Sequence, residues 1–227
     1  MHEVIPYVVH LAHATFLALA ALLPIVNPIG SAALFLALTQ EQPKPVRQIL
    51  ARKIAVNSFF LLAGSVLVGT YVLKFFGISI PVVQIGGGLV VLAAGWSMLN
   101  QKEAEVKSDV RRADCAVDPD FVSEQAFYPL TLPVTVGPGS ISVAITLGAN
   151  LQGGGFNRAL LIVDALLASA IVAYLVFLSD WYAEWLSRKI GRTGMSVAVR
   201  LSSFLLLCIG VQIIWNGTSS LLGIGAH

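Results

Sequence analysis

The chain has 227 residues, 56% of them hydrophobic and only 11% charged, with a mean hydropathy of +0.81 and a net charge of +2. A soluble domain carries about 25% charged residues, so this composition excludes an ordinary water-soluble fold and points to repeated crossing of a bilayer. Cys115 and Cys208 form no CxxC pair, and His2, His10, His13 and His227 make no cluster with a carboxylate or thiol. Redox chemistry, a metal and any other cofactor are therefore not expected. Lipid is the expected surrounding, and no nucleic-acid partner is expected.

The N-terminus lacks the Lys or Arg of a signal peptide, which predicts that the first apolar run is a retained span. That span covers residues 5–38 in two pieces, 8–23 and 31–38. Leu23-Pro24-Ile25-Val26-Asn27-Pro28-Ile29-Gly30-Ser31 interrupts it. Asn27 and Ser31 are N-cap residue types, Pro28 suits the first turn of a new helix, and Gly30 permits close backbone approach. Residues 40–53 are polar, and Pro43 and Pro45 predict a loop there. Span 2 follows at 54–73, with Asn57 near its start, and a turn around Gly77 leads to span 3 at 82–99. Gly86, Gly87, Gly88 and Gly95 in span 3 predict tight helix contact, a local bend and a surface suited to a homo-oligomer.

Residues 100–124 are rich in both charge signs and read as a linker whose first part forms a short surface helix. Span 4, at 128–149, carries a second interruption, Leu132-Pro133-Val134-Thr135-Val136-Gly137-Pro138-Gly139-Ser140. Residues 150–157 form a Gly-rich turn. Span 5, at 158–178, contains Asp164. The polar stretch 179–199 is amphipathic, with Trp181, Tyr182 and Trp185 suited to an interface. Span 6 is 200–221.

These readings give an all-α polytopic membrane protein with six transmembrane helices. Twelve of the fourteen Lys and Arg residues fall in the loops on one side, and only Lys74 and Arg158 on the other. The positive-inside rule then places both termini outside the cytoplasm. The two interruptions match without gaps at Leu23/Leu132, Pro24/Pro133, Gly30/Gly139 and Ser31/Ser140, an offset of 109 residues. Asn57 and Asp164 echo each other at an offset of 107. Three spans per half is an odd number, so the halves enter the membrane from opposite sides. The expectation is two inverted three-helix repeats, residues 1–99 and 125–227, joined by the 100–124 linker, with the first helix of each repeat broken at its Pro/Gly motif.

A broken helix in lipid frees backbone groups that water cannot reach. Paired breaks in corresponding places are a pointer to a solute site between repeats. Helix N-termini favour a small anion or polar group. The candidate substrate-binding residues are Asn27, Pro28, Gly30, Ser31, Thr135, Gly137, Pro138, Gly139 and Ser140. The bland alternative is that Asn27, Ser31 and Ser140 only cap their own helices. Asp164, a carboxylate within a span, and its echo Asn57 are candidates for ion coupling or for a buried brace.

Asn27-Pro28-Ile29-Gly30, the Gly86-Gly87-Gly88 span and Pro129-Leu130 through Gly137-Pro138-Gly139 together resemble the MarC family of bacterial inner-membrane proteins, also called UPF0056. The resemblance covers nearly the whole chain. It implies six spans, an inner-membrane location and a distant similarity to exporters of the LysE type. It carries over no ligand residue. The resulting expectation is a secondary transporter or exporter of a small polar or anionic metabolite. No Walker-type motif, HExxH or Ser/His pair is visible, so neither direct ATP use nor an enzyme is expected. The alternative is a structural or assembly protein, in which the two interruptions pack together with no cavity between them.

Overall fold

The computed structural model describes residues 4–39, 42–100, 119–150 and 157–224. The described residues form helices and no strand: α1 (Val4–Val26), α2 (Pro28–Leu38), α3 (Lys44–Phe75), α4 (Ile80–Asn100), α5 (Pro119–Gln125), α6 (Ala126–Thr135), α7 (Pro138–Asn150), α8 (Asn157–Trp181) and α9 (Ala183–Leu222). Among the described residues, five stretches are long and apolar enough to cross a bilayer, or six if the bent pair 122–135 and 138–149 counts as one. Among the described residues, Phe16, Phe60, Phe75, Trp96, Tyr174 and Phe204 face outward. An apolar exterior of this kind suits lipid and not water.

Three local expectations are corrected. Residues 44–53 are helical, because α3 begins at Lys44 with Pro43 as its N-cap and Pro45 in its first turn. Proline is tolerated there, where its missing N–H would have lacked a partner anyway. At about 1.5 Å per residue α3 is ~48 Å long, and its Arg- and Lys-bearing first ten residues extend beyond an uncharged stretch of 54–73. Second, α4 runs through Gly86, Gly87 and Gly88 without a break. Third, the amphipathic stretch divides at Gly191, and its second part joins the last span. α9 continues from Ala183 to Leu222 with one kink at Gly191, whose φ of 74° and ψ of 171° suit glycine alone. The expected surface helix after residue 100 and the turn at 150–157 fall largely outside the described residues.

Gly88 and Gly95 of α4 serve its contact with α9, and Gly87 serves its contact with Ser142 of α7. A methyl group on Gly88 would stand 2.9 Å from the Gly210 carbonyl oxygen, and one on Gly95 would stand 2.9 Å from that of Ser203. One on Gly217 would meet the Pro81 carbonyl oxygen at 2.7 Å. Position rises along one helix as it falls along the other, so α4 and α9 run antiparallel with their backbones nearly touching. Gly86 faces open space.

The remaining packing follows one pattern. α3 lies against α6, α7 and α8; α1 and α2 lie against α8; α4 lies against α7 and α9; α2 also lies against α9. Helices before residue 100 therefore pack mainly on helices after residue 118. One core joins Leu22, Val26, Leu50, Ile54 and Leu62 to Leu130, Val136, Ala144, Val172 and Val176.

Candidate functional site

Asn27 separates α1 from α2 in a left-handed conformation, φ 48° and ψ 66°. Asparagine tolerates that region better than most residues. Pro28 supplies no N–H, so the ladder cannot continue in its usual form through this point. The Asn27 N–H still donates to the Leu23 carbonyl at 2.9 Å, and its own carbonyl accepts from the Ser31 N–H at 2.9 Å. Its side-chain oxygen accepts from the Gly30 N–H at 3.2 Å, a cap on the new helix. Ser31 Oγ donates to the Pro28 carbonyl at 3.1 Å. The side-chain nitrogen of Asn27 is buried with no acceptor.

The second interruption is built differently. α6 is a wide, π-type run containing Pro129 and Pro133. Tyr128 and Leu132, each just before a proline, are pushed to extended backbone at φ −126°, ψ 124° and φ −108°, ψ 125°. Thr131 and Thr135 donate their hydroxyls to the Ala126 and Leu130 carbonyls at 2.6 and 2.8 Å. They supply hydrogen bonds where two prolines have removed donors. Beyond Val136 and Gly137 the chain turns by 72° into α7. Gly139 and Ser140 lie in the first turn of α7, whose N–H groups a helix leaves without internal acceptors.

Both interruptions open on one cavity of about 230 Å³. Asn27, Ser31 and Leu34 line it from one side, and Thr135, Gly137, Pro138, Gly139 and Ser140 from the other. Val90, Val91, Ala94, Ser97 and Met98 of α4, with Leu206 of α9, complete it. No charged side chain is among these lining residues. The wall is mostly apolar, with polar groups concentrated at the two helix starts. The space is smaller than the roughly 300–1,000 Å³ of drug-sized sites.

Of the residues singled out in the sequence, Asn27, Ser31, Thr135, Gly137, Pro138, Gly139 and Ser140 thus meet around one space. Pro28 and Gly30 stand behind it, as the acceptor for Ser31 and the donor to Asn27. Asp164 and Asn57 lie elsewhere. Asp164 is buried and accepts a hydrogen bond from Thr15 of α1. Asn57 Nδ2 donates to Thr131 Oγ1 of α6 across 3.4 Å. The α4 and α9 lining residues carried no sequence signal, being apolar side chains apart from Ser97. Asp180 was also missed, because it sits at the end of α8 where the sequence turns polar; it is 4% exposed.

A model of MarC family integral membrane proteins matches residues 12–222. The UPF0056 membrane protein MJ1677 of Methanocaldococcus jannaschii is 33% identical over 202 residues, which cover 88% of this chain and 94% of that one. YvbG of Bacillus subtilis, another UPF0056 membrane protein, is 33% identical over 197 residues, 87% of this chain and 90% of its own. The UPF0056 inner membrane protein MarC of Escherichia coli O1:K1 is 34% identical over 203 residues, 88% and 92% of the two chains. No solved structure matches significantly.

Proposed function

Because the chain belongs to the MarC family of integral membrane proteins, we propose that it is a secondary transporter that exports a small amphipathic metabolite across the inner membrane. The solute has one polar or anionic group and an apolar body. The observation that carries this reading is the shared cavity at the two interruptions, lined by Asn27 and Ser31 at the start of α2 and by Gly139 and Ser140 in the first turn of α7. The Asn27 side-chain nitrogen is buried against Gly30; turned into the cavity, it would meet a polar ligand group and recover the roughly 1–3 kcal/mol that an unmet buried donor costs. The absence of lining charges favours recognition by amides and helix ends over an ion pair. A purely structural role would have the two interruptions packed together with no cavity between them.

The architecture proposed is two inverted three-helix repeats with six spans and both termini on the periplasmic side. The basic-residue bias supports that orientation. Packing of each half on the other supports a two-fold relation, as does the antiparallel α4–α9 pair. Asn57 reaching the first span of the second half, while Asp164 meets the first span of the first half, has the same reciprocal sense.

The test is a comparison of metabolite pools inside and outside cells that lack or overproduce the protein. Uptake of the affected compound into proteoliposomes would follow. A small solute should accumulate inside the deletion strain and be cleared by the wild-type chain. Identical pools in all strains, under varied nutrient load, would remove the transport reading.

A further inference from the structure

A second cavity lies at the Arg- and Lys-rich end of the bundle. It holds about 30 Å³, room for one or two waters. Phe35 and Leu36 of α2, Lys44 and Arg47 of α3, Asp180 of α8 and Glu184 of α9 line it. Asp180 is 4% exposed, and neither of its carboxylate oxygens has a hydrogen-bond partner among the described residues. Arg47 is turned to Glu184 instead, at 2.7 Å, and Glu184 also accepts from Arg188. A bare ionised carboxylate with two unmet oxygens in such a place is severely unfavourable, whereas a neutral acid is tolerable.

We propose that Asp180 is the proton site of this transporter, and that its ionisation draws Arg47 away from Glu184. The idea rests on the transporter reading. The exchange balances: Asp180 releases one proton to water at the basic end, and the new carboxylate takes the Arg47 guanidinium. Glu184 keeps Arg188, so no charge is stranded. The other charged groups nearby are Lys44 on the cavity wall and Arg52, whose guanidinium stands 5.3 Å over the Trp181 ring. α2 contributes only apolar side chains to this cavity.

α2 joins the two cavities. Its N-cap Asn27 and Ser31 line the larger one, and Phe35 and Leu36 line the smaller one. Thr39 ends α2, its hydroxyl donating to the Phe35 carbonyl at 2.7 Å. The two ends are about 13 Å apart at helical rise. A single short helix thus bears on the solute at one end and on the proton at the other. Asp164, already bonded to Thr15, lies at the opposite end of α8.

The experiment uses the full chain in proteoliposomes. Difference infrared spectroscopy across a pH titration follows the carboxylic-acid band. In parallel, maleimide labels Leu34→Cys in a Cys115→Ser, Cys208→Ser background. An acid band present at neutral pH and missing in Asp180→Asn is expected. Labelling should change severalfold over the pH interval in which the band disappears. In Asp180→Asn it should stay at the low-pH rate, and in Arg47→Gln it should lose its pH dependence although the band still titrates. Should Asp180→Asn fail to fold, Asp180→Glu should retain the transition at a displaced pH. Absence of the band, labelling in Asp180→Asn that follows pH like its parent, or a response to sodium at fixed pH would each overturn the proposal. Unchanged metabolite pools with an intact pH response would instead remove the transport reading alone.

Discussion

Asn27 holds three positions at once: a left-handed backbone, a cap on α2 and an unspent donor buried against Gly30. Substitutions separate these roles. Asn27→Asp keeps the accepting oxygen and much of the tolerance for positive φ, and replaces the donor nitrogen with a second, ionisable acceptor oxygen. It should leave folding intact, yet weaken solute binding by about tenfold, since 1.4 kcal/mol is a decade in affinity. Binding to the purified chain, alongside its thermal unfolding in detergent, would check this. Gly30 sits against the same side chain, and an added methyl would collide with it. Gly30→Ala should therefore reduce transport by displacing Asn27, with wild-type amounts of protein in the membrane. Asn27, Ser31, Thr135 and Ser140 were legible in the sequence because polar residues beside Pro and Gly in an apolar run are conspicuous. Asp180 was not, since a carboxylate at the polar edge of a span looks solvated until the neighbouring helices bury it.

At the scale of elements, glycine divides into positions that hold helices together and positions that do not. Gly210 approaches α4 closely enough that a methyl would lie 2.7 Å from the Leu92 nitrogen. Gly210→Val should destabilise the chain by about 3 kcal/mol through overpacking. Gly86→Ala, with nothing within 4 Å, should be neutral or gain up to about 1 kcal/mol from helix propensity. Thermal unfolding of the two purified variants should separate them clearly. Gly191→Ala places a side chain in glycine-only backbone and should cost about 1–3 kcal/mol by the same measurement. The helices themselves were readable from hydropathy. Their ends were not, because Pro43 and Pro45 suit a loop and a first turn equally well. The run through Gly86–Gly88 misled for another reason: the propensity loss there is offset by close contact of Gly87 with α7 and of Gly88 with α9.

For the whole molecule, the decisive feature is that each half finds its partners in the other. Residues 1–106 alone, or 107–227 alone, should be scarce in membranes, whereas the two co-expressed fragments should recover much of the intact level. Immunoblots of membrane fractions would measure it, and a stable isolated half would contradict the packing. The order of spans was legible from the sequence; this exchange of partners was not, because periodicity reports a buried face without reporting what covers it.

The exchange bears on how the chain is made. Spans synthesised first enter the bilayer with their contact faces bare, and their complements are still on the ribosome. At about 5–20 residues per second, the second half arrives on the order of ten seconds later. Through that interval the glycine-lined face of α4 meets only lipid or an attendant insertase, and nascent-chain crosslinks at Gly88 should migrate from that attendant to α9 once translation passes Gly210.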